Sequence, residues 1–277
     1  EPDNVEHHGR LEPGRMFLVD MDEGRIIEDK EIKSEIVSKK PYRKWLNENL
    51  LELKEVSYTG NKTPVEKEDF ETRLRLFGYT QEDLKTLINP MSVNAKEAIG
   101  SMGTDTPLAV LSDRPQLIYN YFKQLFAQVT NPPLDGIREE IITDTSLSIG
   151  SDHNIFDVVP EQCKKLRIQN PVISNEDLDK IKYIKHDNFK AASISTLYDI
   201  NKGHNGLEAA LDQMILDIES AVDQGANIVI LSDRGVSPEL APIPMLLACS
   251  HAHHGLKRLK KRSLFGIIVE SAEPREP

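Results

Sequence analysis

The chain has 277 residues, 39% of them hydrophobic, with 34 Lys and Arg against 45 Asp and Glu for a formal charge of −11. This composition describes a folded chain of one large domain or two small ones, and excludes a disordered one. At this length roughly three quarters of the unfolded surface can be buried without disulfides or a structural metal. Cys163 and Cys249, the two cysteines, are too few for a disulfide scaffold or a four-thiolate zinc or iron–sulfur site. A reducing compartment, the cytoplasm, is therefore expected. No apolar run reaches the ~20 residues that span a bilayer, and Glu1 to Arg10 hold no signal-peptide core, so no membrane partner is expected. The acid excess argues against a nucleic-acid partner, whose phosphates call for clustered Lys and Arg. The one basic run, Lys257 to Arg262, fits a solvated helix end. A chain that opens on Glu1 rather than Met is expected to be a piece of a longer one.

Met16-Phe17-Leu18-Val19, the turn residues Asp20 to Gly24, and Arg25-Ile26-Ile27 predict a short β hairpin. A hairpin alone is marginal in water, so it should dock on something. Residues 28 to 76 are dense in charge, with scattered anchors such as Tyr42, Trp45 and Phe70, and predict helical turns and loop. Thr80 followed by Asp83 is a helix start, and Asn89-Pro90 a stop. A glycine-bearing loop, Gly100 to Pro107, leads into a predicted strand over Leu108 to Leu111. Pro115 then opens a helix whose stripe Ile118, Tyr121, Phe122, Leu125, Phe126 and Val129 reads as core contact. The stretch from Ser148 to Asn188 is loop-rich, with a short helix at Asn175 to Ile181.

The last third repeats one pattern. Ala191 to Leu197 is strand-like, and Leu207, Ala210, Leu211, Met214, Ile215, Ile218 and Val222 form one helical stripe closed by Gly225. Ile228 to Leu231 is a continuous apolar strand. A second helix is predicted from Pro242 to about Arg258, and Phe265 to Val269 is another buried strand. Strand, helix, strand, helix, strand with apolar strands buried on both faces predicts an α/β fold with parallel strands and crossover helices.

In such folds polar groups at the carboxyl ends of strands are the favoured functional positions. Ser232, Asp233 and Arg234 follow one predicted strand and Glu270 the other. Caps and local ion pairs account for these residues as well as function does. His251, His253 and His254 sit on one predicted helix, but no metal-binding spacing such as H-E-x-x-H accompanies them. They fit packed or half-exposed histidines better than ligands. The Gly100 to Pro107 loop lacks the Lys of a P-loop and the G-x-G-x-x-G of a dinucleotide turn, so phosphate cradling is not expected. Its small polar residues suit a turn or the wall of a narrow polar passage.

Several runs closely resemble the large chain of the glutamate synthase family. They are Phe77-Gly78-Tyr79-Thr80, Glu97 to Ser112, Tyr121 to Pro133, Ile137-Arg138-Glu139-Glu140, Gly225-Ala226-Asn227, Leu231 to Gly235, Pro242-Ile243-Pro244 and Val269-Glu270-Ser271. The resemblance is strong over about 9 to 33, 77 to 150 and 206 to 277. It departs locally, with Gly136 where the family run has Pro and Ala272 where it has Gly. It implies that residues 1–33 are the closing hairpin of an amidotransferase domain and 34–277 the central domain, similar to an incomplete (β/α)8, TIM-like, barrel.

The resemblance also implies a division of labour. The complete enzymes release ammonia from glutamine, pass it through a tunnel, and add it to 2-oxoglutarate at FMN beside a 3Fe-4S cluster. Neither cofactor is expected on this stretch, and the isolated chain is expected to be colourless and inactive. Its partners would be the amidotransferase and FMN domains of the same chain, with ferredoxin or an NAD(P)H-oxidising small subunit as electron donor. The location would be the cytoplasm, or the plastid stroma in a photosynthetic eukaryote. Ser101, Met102, Gly103, Thr104, Asp105 and Thr106 become candidates for the ammonia-tunnel wall. The competing expectation is an independent α/β enzyme, with or without a metal, using Asp233, Arg234 and His251, His253 and His254.

Overall fold

A computed structural model of the chain describes residues 4–5, 8–57, 60, 62–63, 70–95, 108–122 and 133–275. The predicted hairpin forms from β1 (Leu18–Asp20) and β2 (Arg25–Ile27), antiparallel with Leu18 opposite Ile27. The charged stretch that follows is more regular than expected: α1 (Asp29–Ser38), α2 (Tyr42–Asn49) and the short β3 (Leu51–Glu52). Helix α1 buries none of its residues and is held by surface pairs such as Lys33 with Asp29.

Next come α3 (Phe70–Leu76), α4 (Gln81–Asp83) and α5 (Asn89–Asn94), with a π turn over Leu84–Ile88 between the last two. Thr80 caps α4 in a reciprocal box with Asp83, as its spacing predicted. Asn89-Pro90 does not stop the helix. Pro90 lies in the first turn of α5, where its missing N–H costs little, and the π turn lets Asn89 donate to Leu84 instead. The predicted strand over Leu108 to Leu111 is instead a 3-10 turn, Ala109–Leu111, with Val110 and Leu111 each 73% exposed. An apolar run becomes a strand only where a partner edge receives its backbone, and among the described residues none does so here. Of the predicted helix after Pro115, the described part over Ile118–Phe122 is a 3-10 turn; Leu125, Phe126 and Val129 lie outside the described residues.

Helix α6 (Gly136–Ile142) precedes β4 (Leu147–Ile149), β5 (Leu166–Ile168) and α7 (Asn175–Lys182). Strand β5 runs parallel to β3 and antiparallel to β4 in one small sheet, so the supposedly loop-rich stretch holds two strands. From β6 (Ala191–Ser195) onward the expectation is met. After β7 (Leu197–Asp199) come α8 (Gly203–Asp223), β8 (Ile228–Ser232), β9 (Leu240–Pro242), α9 (Met245–Arg258) and β10 (Gly266–Glu270). Strands β6, β8 and β10 are all parallel, with β8 in the middle. Pro242 does not open α9. It closes β9, whose partner is β7, and the helix begins three residues later. An edge strand tolerates a proline that donates nothing to the ladder. The described strands form separate sheets rather than a closed barrel.

Strand β8 is the shared wall of two cores. Val229 and Leu231 face α8 and α9, packing with Met214, Ile218, Ala248, Ala252 and Leu256. Ile228 and Ile230 face the other way, onto Ile149, Leu166, Ile168 and Ile181 of the small sheet and α7. The period-two alternation of a strand buried on both faces produces this split. The stripe on α8 is internal as predicted, with Ile218 fully buried and Leu211 and Ile215 packed against the same core. Gly225, at φ +92, ends that helix where a side chain would be strained. At Gly266 an added Cβ would lie 2.4 Å from Ile149, so the two sheets meet only because this position has no side chain.

Candidate functional site

The parallel register places Glu270 directly beside Ser232, so the ends of β8 and β10 present their polar residues together. Ser232, Asp233 and Glu270 are all buried, and the Glu270 carboxylate is nearly saturated. It accepts from Ser232 Oγ at 2.7 Å and from Arg234 Nε. Lys182, at the end of α7, donates to both of its oxygens at 2.8 and 2.7 Å. Lys182 also donates to Thr63 Oγ1, whose hydroxyl and backbone N–H both bond the buried Asp179. Burial alone would raise the Glu270 carboxyl, but the hydrogen bonds from Arg234, Lys182 and Ser232 outweigh it and hold the group below its ordinary range.

Asp233, one residue past β8, has the opposite environment. Its Oδ2 accepts from Ser271 Oγ at 2.6 Å and from the Ala272 N–H at 3.2 Å, with no cation among these partners. Burial pushes its carboxyl up to about 6, and the charges of Glu273 and Glu270 add to the rise. Two neighbouring carboxylates are thus split by environment alone. Thr196, at the end of β6, completes the row of strand ends. Its hydroxyl is fully buried and has no hydrogen-bond partner among the described residues, an arrangement that costs roughly 1–3 kcal/mol.

A cavity of about 870 Å³ opens over this cluster. Phe70 and Leu74 of α3 with Ile149 and Ile168 contribute to its apolar lining, and Asp233 and Glu270 to its polar lining. The polar lining is chiefly an ion-paired brace: Glu270 ties together α7, β8 and β10, and Asp233 fixes the turn that follows β10. Four expected residues, Ser232, Asp233, Arg234 and Glu270, are therefore brought together.

The histidines stand apart from this cluster. His253 and His254 are exposed, their rings edge to face at 5.0 Å, and His253 Nδ1 accepts from Arg262. No group of three His, Cys, Asp or Glu side chains among the described residues is placed to hold a metal ion. The expectation of an independent enzyme combining these histidines with Asp233 and Arg234 thus loses its histidine half. The candidate tunnel-wall residues Ser101, Met102, Gly103, Thr104, Asp105 and Thr106 lie outside the described residues. Sequence reasoning passed over Lys182, Tyr79, Tyr119, Glu273 and Arg275. Only Glu273, four residues past a predicted strand, carried a local signal.

The profile of the glutamate synthase central domain matches residues 72–277. The chain belongs to the glutamate synthase central domain family. A second profile, that of class-II glutamine amidotransferases, matches residues 1–45. The NADPH glutamate synthase large chain of Bacillus subtilis is 42% identical over 100% of this chain and 18% of its own length. The NADH glutamate synthase of Schizosaccharomyces pombe is 38% identical over 100% of this chain and 14% of its own. A chloroplastic ferredoxin-dependent glutamate synthase of Arabidopsis thaliana is 36% identical over 96% of this chain and 16% of its own. The chain thus spans less than a fifth of the curated relatives it matches. Among the described residues no helix is long and apolar enough to cross a membrane.

Proposed function

We propose that this chain acts as the connecting domain of a glutamate synthase, holding a glutaminase site and a synthase site at fixed separation and walling the ammonia route between them. The observation that carries this is the pair of profile matches, class-II amidotransferases over residues 1–45 and the central domain over 72–277, within relatives several times longer. In the complete reaction glutamine and water give glutamate and ammonia. Ammonia with the proton released beside it, 2-oxoglutarate, two electrons and two further protons then give a second glutamate and water. Ammonium loses its proton only well above neutrality, so neutral ammonia survives as a nucleophile only along a dry, weakly polar path.

The fold suits a spacer. We take residues 1–33 as the closing hairpin of the amidotransferase domain and 34–277 as the connector. Strands β6, β8 and β10 with α8 and α9 would be consecutive units of an incomplete (β/α)8-type barrel, since they are parallel and adjacent in chain order. The FMN and the 3Fe-4S cluster of such an enzyme do not fit here. Two cysteines cannot supply a cluster's thiolates, and the basic groups at the strand ends are engaged with Glu270. Both would be carried by other parts of the chain. Relatives named for NADPH, NADH and ferredoxin match alike, so either a ferredoxin or a nicotinamide-oxidising small subunit is compatible as donor. The cytoplasm, or a plastid in a photosynthetic eukaryote, is the compartment this function calls for.

Within the connector we assign Ser101 to Thr106 to the tunnel wall, on the strength of its small polar residues. Replacing Thr106 by Val removes a hydroxyl at nearly constant volume, and Thr106→Trp narrows the passage. In the full-length enzyme both should leave glutamine hydrolysis running while less glutamate forms per glutamine consumed. The measurement is glutamine consumed against 2-oxoglutarate converted, with free ammonia assayed alongside. Parity with normal rates in both variants would reduce the loop to a structural turn.

A further inference from the structure

Outside the brace at Glu270, bonds concentrate on the short strap that leaves β10, residues 271–275. Its first residues bond Asp233, as described above. Next along it, the buried Glu273 carboxylate accepts from the Met245 N–H at the start of α9 at 2.6 Å and from the Tyr119 hydroxyl at 3.1 Å. An acid is well placed there, because the exposed N–H groups of a helix start favour negative charge. On the other side the Tyr79 hydroxyl donates to the Ala272 carbonyl at 2.8 Å, and the Arg275 guanidinium lies 4.1 Å over the Tyr79 ring. Arg275 also donates to the Phe77 carbonyl at 3.0 Å and pairs with Asp83 at 3.5 Å. Two separate arms of the chain, one ending at Tyr79 and the other reaching Tyr119, thus grip the same five residues. The stretch between those arms in sequence includes Ser101 to Thr106.

We propose that the strap Ser271–Arg275, gripped by Tyr79 and Tyr119, is a positioning device that holds these two arms in register with the ends of β8 and β10, so that retention of ammonia depends on both tyrosines. The proposal rests on the connecting-domain function above. Neither tyrosine touches a reacting atom. Each fixes a chain segment to the strap through its hydroxyl.

The test uses the full-length enzyme carrying Tyr79→Phe, Tyr119→Phe and the double change, each of which deletes a hydroxyl and keeps the ring. Glu273→Gln serves as a second probe, because its amide oxygen still accepts from Met245. Glutamine hydrolysis, 2-oxoglutarate conversion, free ammonia and the thermal midpoint are measured together. Loss of a net hydrogen bond shifts a local equilibrium by roughly threefold to tenfold, so escaped ammonia should rise by about that factor in the double variant while glutamine hydrolysis stays within about twofold. A merely structural pair would lower the midpoint and leave the ratio of glutamine to 2-oxoglutarate at one. A ratio of one in the double variant and in Glu273→Gln overturns the strap proposal. Thr106→Trp, run beside them, then tells whether the connecting-domain function falls with it: if that variant leaks, only the strap is wrong.

Discussion

Ile228, Val229, Ile230 and Leu231 of β8 are fully out of solvent, while Phe17, Leu18 and Val19 at the hairpin, just as apolar, stand 59%, 44% and 46% exposed. The residue types do not separate the two regions; their neighbours do. Strand β8 has a strand on each edge and a packed layer on each face, whereas among the described residues the hairpin pairs its two strands with each other and otherwise bonds to charged groups of α1. Apolar sequence yields buried structure only where a second layer is present to receive it. The hairpin, which lies within the residues matched by the amidotransferase profile, thus leaves apolar side chains in solvent in this chain.

The sharpest way to break this contrast is at the buried end of the parallel sheet. Glu270→Ala leaves Lys182, itself 9% exposed, buried without its carboxylate. Such a change should cost on the order of 3–5 kcal/mol in urea unfolding of this chain. A loss under about 1 kcal/mol would mean that the brace is solvated and does little for the sheet.

The next effect is set by pH. Asp233 has its folded pKa raised to about 6, so its contribution is fully present below the unfolded value and is lost as pH rises through about 6. Glu270 has the opposite sign: its contribution is present at neutral pH and is lost as pH falls through its lowered folded value. Between pH 4 and 7 the Asp233 part should amount to roughly 2–3 kcal/mol, from two pKa units at about 1.4 kcal/mol each. Asp233→Asn should remove that slope, gaining on the unaltered chain by this amount as pH rises. Unfolding curves that keep a constant separation across the range would show that Asp233 titrates normally.

The smallest effect belongs to the hairpin. Phe17→Ser and Met21→Ser should change the stability of this chain by no more than about 0.5 kcal/mol, because neither side chain is buried here. In the longer enzyme proposed above, the Phe17 change should cost more than about 1 kcal/mol if a neighbouring domain covers that face. Equal costs in the two settings would remove the argument that the hairpin is a docking element.

What the sequence disclosed follows the same division. The alternation of apolar strands and helical stripes from Ala191 to Val269 was legible because each element carries its own period, and the parallel pairing then put Ser232, Asp233 and Glu270 together. Lys182 was not legible, because its importance lies in Glu270, 88 positions away. Tyr79 and Tyr119 meet their partners 193 and 154 positions on, and nothing local to either ring announces those bonds. Apolar character misled at Leu108 to Leu111, where no strand edge is offered among the described residues. Proline misled at Pro90 and Pro242, where a first helical turn and a sheet edge absorb its missing donor.

The small sheet has a further consequence, in time rather than in space. Glu52 at β3 meets Gln169 beside β5, 117 positions later, and Thr63 meets Asp179, 116 positions later. A ribosome adds about 5–20 residues per second, so the first partner of each pair waits some seconds for the second to be made. Strands β6, β8 and β10 face shorter waits, because each is the sheet neighbour of the next along the chain. The charged stretch around α1 and α2 is thus what the growing chain displays during the delay. Its scarcity of apolar residues keeps that waiting segment from finding the wrong neighbour.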